Sequence, residues 1–230
     1  MKSSKTNPVK TLHRTILLNE IKKILKRNFL RFRDIGNLLR YGENAPRYAE
    51  RIWIEPYKIR YVIHNKSSFI SIICSGLVTN IGKHFTYQPF KKTHEFKSCV
   101  AHWIEGLPWE STKDYLIKLD GIKRGQFWVG CKSEEELRGR FMSLDRIFYE
   151  TKQTLQLKTR KQLGSKAYRE EGGMIVCIGR HGEPLLFDGY HRLCIALILN
   201  LPTIPAQLGC VDYRAIDSLP KYRFEAKHAL

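Results

Sequence analysis

The chain has 230 residues, with 40 Lys and Arg against 22 Asp and Glu, a formal net charge of +18. That length can bury a proper core, as one domain with extensions or as two small domains, and no apolar run approaches a membrane span or a secretory signal. The six cysteines are scattered without a C-x-x-C pair, which argues against a disulfide framework or a zinc site and fits a reducing cytoplasm. The charge points to an anionic partner, whether nucleic acid, membrane surface or metabolite.

In chain order, residues 1–11 are polar and basic, without periodicity. From Leu12 to Leu39 apolar residues such as Ile16, Ile21, Ile24 and Leu25 recur at helical spacing with Lys and Arg between them, and a break is expected near Arg33–Gly36. This basic helical extension, residues 1–46, has three readings. Its apolar face packs on the core, lies on an anionic membrane surface, or crosses a nucleic-acid backbone. Gly42–Pro46 reads as a linker. Arg51–Ile63 has strand chemistry, with Pro56 confining it to an edge, bulge or turn. Phe69–Ile73 and Gly76–Val78 suggest strands and Gly82–His84 a turn. Lys83–Lys97 interleaves basic residues with Phe85, Tyr87, Phe90 and Phe96, a mixture that can stack on single strands but in which most rings are expected in the core. His84, His94 and His102 lack metal-ligand spacing.

Phe96–Leu119 is expected to be helical, interrupted at Gly106–Trp109, with Ser111 capping a second helix and Asp114 in its first turn. Glu105 and Glu110 are read as structural. Residues 64–130 as a whole are taken as a helical insertion. Ser133 followed by Glu134, Glu135 and Glu136 announces a helix start. Leu137, Phe141, Leu144, Ile147 and Phe148 then form a buried stripe through Leu155. The basic segment 151–169 is expected to end in a loop beside the site, and 213–230 reads as a tail.

The densest signal lies in Gly173–Leu208. An apolar strand, Met174–Ile178, reverses through Gly179 and Gly182 into Leu185–Phe187, a hairpin. Asp188-Gly189 ends the strand. Tyr190–Leu199 is an apolar helix with a polar first turn, stopped by Asn200 and Pro202, and Thr203–Leu208 reads as another strand. Asp188 is expected to cap the helix and Gly189 to admit a ligand close to the backbone. The free N–H groups of the helix start, with His191 and Arg192 beside them, suit a phosphate.

Phe187-Asp188-Gly189-Tyr190-His191-Arg192, with Leu193–Ala196 after it and Ile204-Pro205-Ala206 closing the segment, resembles the ParB/sulfiredoxin superfamily. At the motif it is most similar to the D-G-x-H-R of archaeal free-serine kinases. The resemblance implies an α+β fold with a small mixed sheet, formed by residues 47–212, in which the helix start holds nucleotide phosphates. Tyr190 stands where sulfiredoxins have their reactive Cys, which argues against sulfinic-acid reduction. No acid follows the strand Ile52–Ile59 where those kinases carry a catalytic Glu.

On this reading the protein is a nucleotide-dependent phosphotransferase or NTPase, kinase-like, using ATP, or else ADP or CTP, with Mg²⁺. Asp188 and His191 are the expected catalytic residues and Asp188 the metal ligand. Gly189, Tyr190, His191, Arg192 and Arg180 are expected to bind the nucleotide. Arg180 lies on the hairpin turn with His181 and Glu183. The alternatives are a DNA- or RNA-binding protein of ParB type, with or without nuclease activity, and a peripheral membrane enzyme on a lipid-linked or glycan substrate. Either would use the basic N-terminal helix, and nucleic acid also the 151–169 segment.

Overall fold

A computed structural model describes residues 28–64, 74–126, 128 and 130–224. The expected strand Phe69–Ile73 and the extension before residue 28 lie outside the described residues. The fold is α+β. Its centre is a seven-stranded mixed sheet made of β1 (Arg51–Ile54), β2 (Tyr61–His64), β3 (Val78–Thr79), β4 (Thr86–Pro89), β5 (Ile175–Ile178), β6 (Pro184–Asp188) and β7 (Ile204–Asp212). The order is β1-β7-β5-β6-β2-β4, with β3 parallel to the end of β7. The hairpin β5–β6 is antiparallel, as the Gly-bounded turn required, with Gly182 at φ 77°. Strand β6 is parallel to β2, and β5 to β7.

Strand alternation sorts side chains onto two faces. Val62, Val176, Ile178, Leu186, Ala206 and Leu208 face the larger core, while Ile63, Cys177, Leu185, Phe187 and Cys210 face a smaller one. In β7 the alternation changes parity, because Val176 pairs with Leu208 but Ile178 with Val211. Gly209 sits in this bulge, where a Cβ would come 2.5 Å from Cys177 Sγ, so close approach demands glycine.

The helices are α1 (residues 28–41), α2 (Ile81–His84), α3 (His94–Trp103), α4 (Lys113–Lys123), α5 (Glu134–Thr154), α6 (Tyr190–Ile198) and α7 (Pro220–Arg223). Helices α3, α5 and α6 contribute Cys99, Phe141 and Leu193 to the larger core. Helix α5 begins as its sequence announced: Ser133 accepts from the Glu136 N–H at 3.2 Å, and Glu136 accepts from the Lys132 N–H at 2.7 Å. Helix α6 is stopped two residues before Asn200, whose φ of 50° reverses the chain.

Several expectations are corrected. Helix α1 runs without a break through Arg33–Gly36. Arg51–Ile63 does have the expected strand chemistry, with Pro56 in the turn allowed for it: two strands are joined by a 3-10 turn at Pro56–Lys58, because Pro56 cannot continue the ladder. Thr112, not Ser111, caps α4 by accepting from the Tyr115 N–H; Ser111 is taken up in the preceding 3-10 turn. The 42–46 segment is no loose linker. Ala45 and Pro46 are buried, and Arg223 donates to the carbonyl oxygens of Glu43 and Ala45. The 64–130 segment is not helical throughout, since it supplies β3 and β4 to the sheet. Residues 213–224, read as a tail, place Ile216, Leu219 and Tyr222 in the larger core.

The G-L-P-W-E stretch has a structural account. A single oxygen of Asp145 on α5 accepts from Trp103 Nε1 at 2.9 Å and Trp109 Nε1 at 3.0 Å, and lies 3.0 Å from His102 Nε2. Trp109 stacks on His102 at 4.0 Å. Glu105 is exposed, and Glu110 faces Arg138 at 3.3 Å.

Candidate functional site

At the carboxyl end of β6 the chain enters α6 through Gly189, whose φ of 97° and ψ of 36° only glycine tolerates easily. A Cβ there would also meet Met174 Cγ at 2.5 Å. Gly189, rather than Asp188, is the N-cap, and no side chain caps the helix. The Asp188 carboxylate is exposed and, among the described residues, accepts only from the adjacent Gly189 N–H, at 2.7 Å. The first-turn N–H groups therefore gain nothing from it, and they remain available to a ligand.

This helix start opens on a cavity of about 440 Å³, within the range of small-molecule sites. Helix α6 lines it with Tyr190, His191 and Arg192, α5 with Arg140 and Ser143, α4 with Lys118 and α3 with Glu95. Gly172 and Gly173, just before β5, form a small-residue edge. The Arg192 guanidinium is largely desolvated. Burial, and then the like charge of Arg160, lower its proton affinity, Asp188 and Glu170 act the other way, and Arg140 adds a further positive charge. An arginine nevertheless stays ionised, and among the described residues Arg192 makes no salt bridge. Its charge is available to an anion.

His191 is held differently. Its Nε2 lies 2.9 Å from Asp114 Oδ2, and Phe141 meets the ring edge-on with centroids 5.9 Å apart. Asp114 is fully buried on α4. Burial opposes its ionisation, but hydrogen bonds with His191 and His94 and the nearby Lys118 ammonium outweigh it, holding the carboxyl well below its ordinary range. His94 Nε2 is 3.3 Å from Asp114 Oδ1, which also accepts from Lys118. An ionised Asp114 accepts the Nε2 proton and leaves the imidazole's Nδ1 as the basic nitrogen. Tyr190 packs on Phe90 with centroids 6.1 Å apart, and burial followed by Glu95 and Asp188 raises its hydroxyl pKa.

His94, Glu95 and Asp114 place one ligand atom each within 4.8 Å of one another, close enough to share a metal ion. Both Asp114 oxygens already accept from Lys118 or the histidines, so the charge a cation would supply there comes from the protein. The expected metal ligand, Asp188, lies outside this group.

The structure thus brings together Asp188, Gly189, Tyr190, His191 and Arg192 but not Arg180. Arg180 is exposed on the β5–β6 turn, at the other end of β6. His181 and Glu183 line a separate cleft there. Asp114, Lys118, Glu95 and Arg140 were missed. They come from three other helices, and no local spacing links them to the motif. No known family model matches the chain, and neither does any curated protein or solved structure.

Proposed function

We propose that this protein is a nucleotide-dependent phosphotransferase or NTPase of the ParB/sulfiredoxin type. The observation that carries the reading is one cavity in which an uncapped helix start, Arg192 and Arg140, and an imidazole held by a buried carboxylate converge. Phosphate oxygens sit on the N–H groups of α6, where the helix dipole favours negative charge. Arg192 and Arg140 balance the charge of the transferring group. The acceptor hydroxyl, or water, gives its proton to His191 Nδ1 as its oxygen bonds to phosphorus and the bond to the leaving phosphate breaks. Asp114 fixes the imidazole's tautomer and steadies the cation that forms. Glu95 and Asp188, the carboxylates on the cavity wall, would hold Mg²⁺, which would supply charge neutralisation for the phosphates.

The test is a calorimetric titration with ATP, ADP, CTP and GTP, each with Mg²⁺, in moderate salt to suppress diffuse attraction. Saturable binding of one nucleotide, weakened about a hundredfold or more in Arg192→Ala, is the expected result. His191→Asn is expected to keep that binding while losing about 10²–10⁴-fold in turnover. A folded wild type that binds none of the four overturns the reading.

One observation favours nucleic acid as a second reading. A larger cleft, about 710 Å³, lies at the hairpin end of the sheet and combines Trp53, Tyr57 and Tyr61 with Lys58, Arg60 and Lys221, beside the acids Glu55, which pairs with Lys58, and Glu183. Rings among cations suit stacked bases. Fluorescence anisotropy with single-stranded oligonucleotides decides it: binding lost in Trp53→Ala/Tyr61→Ala supports this reading, and binding unaffected by it leaves only diffuse charge.

A further inference from the structure

Helix α1 is amphipathic the wrong way round for a helix that covers a core. Its inward side is mostly polar. Asn37 Nδ2 donates to the carbonyl oxygens of Pro46 at 2.8 Å and Gly76 at 2.9 Å. Asp34 accepts from the Tyr48 N–H at 2.7 Å and pairs with Arg169 at 3.1 Å. Arg33 donates to the Ser75 carbonyl oxygen. Its apolar anchors are two, Leu30 against Tyr48 and Ala49 and the half-buried Tyr41 against the larger core. Phe29, Phe32, Ile35, Leu38 and Leu39 point outward, each between 48% and 83% exposed. At 100° per residue they form one continuous stripe.

A ridge of five large apolar side chains held outward by polar bonds on the other side is a contact surface. Its flanks indicate the partner. Exposed Arg31 borders one edge of the stripe and exposed Arg40 the other. Among its described residues the one acid, Asp34, is turned inward to Arg169. Rings and aliphatic chains between flanking arginines, with no outward acid, are what a helix lying in an anionic lipid interface presents. A second copy of this chain is a poorer match. Two molecules at +18 repel one another. We propose that the outward face of α1, Phe29–Leu39 flanked by Arg31 and Arg40, docks the protein on an anionic membrane surface.

Full-length protein is co-sedimented with phosphatidylglycerol vesicles and with pure phosphatidylcholine vesicles. Binding to the anionic vesicles, reduced about tenfold or more in Phe32→Asp/Leu39→Asp, is the expected result. Both sites are exposed, so circular dichroism of the variant should match wild type. Equal binding by variant and wild type would mean charge alone acts and overturns the proposal. So does an absence of wild-type binding, or a wild-type dimer in light scattering that the variant abolishes. A second measurement is independent of the charge reversal. The native cysteines are buried, so Leu39→Cys takes an environment-sensitive dye selectively. Its emission should shift to the blue with anionic vesicles, and an unchanged spectrum sinks the idea.

Discussion

Asp114 is the residue whose role the sequence hid. Three residues after Ser111 it reads as half of an imperfect capping box. Its partners His94, Lys118 and His191 are assembled by the packing of three helices, which no single-stretch pattern reveals. His191 was legible because Asp188-Gly189-Tyr190-His191-Arg192 is contiguous and sits at a strand-to-helix junction. Asp188 was legible as a neighbour of the site but not in its role, since capping was assigned to it and Gly189 does the capping. Asp114→Asn removes a charge and leaves the Lys118 ammonium buried without its counter-ion, a change expected to cost about 3–5 kcal/mol in denaturant unfolding. The acid limb carries the same signature. The folded carboxyl titrates well below its ordinary value of 3.8, so its contribution is fully present above that value and is lost as pH falls through the folded pKa. Urea midpoints measured from pH 6 downward should therefore fall more steeply for wild type than for Asp114→Asn below about pH 4. Parallel curves would deny Asp114 this role.

Among the elements, the hairpin and α6 were readable because each is short, bounded by Gly or Asn, and carries its own periodicity. What escaped was any feature set by the partner strand. The parity change in β7 depends on where Cys177 crosses Gly209, and a nine-residue run with every residue buried shows no alternation to betray it. The broken α1 expected at Arg33–Gly36 was misread for a related reason. Arg33 and Asp34 look like a charged interruption, yet they bond the helix to Ser75 and Tyr48. Gly189 gives the sharpest test at this scale. Alanine there must hold a φ of 97° and drive its Cβ to within 3.0 Å of the Met174 backbone. Gly189→Ala is expected to destabilise by about 2–4 kcal/mol, the left-handed penalty plus overpacking, with the denaturant slope unchanged. A loss under about 0.5 kcal/mol would show that the β6–α6 junction relaxes freely.

At the scale of the molecule, the sheet divides the interior into two cores, and the cysteines sample both. Cys99, Cys131 and Cys194 belong to the larger cluster, and Cys74, Cys177 and Cys210 to the smaller. All six are buried. Burial, then a hydrogen bond to a neighbouring thiol, raises the pKa of Cys177 beside Cys210 and of Cys194 beside Cys99, so neither is a ready nucleophile in the native state, and burial shields the other four from reagents. Because β5, β6 and β7 each present one face to either core, the two cannot separate without breaking the same strand pairs. The fold should then open as one cooperative unit. Thiol labelling in a denaturant series, with each cysteine followed by peptide mass spectrometry, is expected to give one shared midpoint for both sets and negligible labelling without denaturant. Earlier labelling of Cys74, Cys177 and Cys210 would show that the smaller core opens alone. In that case the larger core, which carries His191, Asp114 and Arg192, would be the unit on which the site's geometry depends.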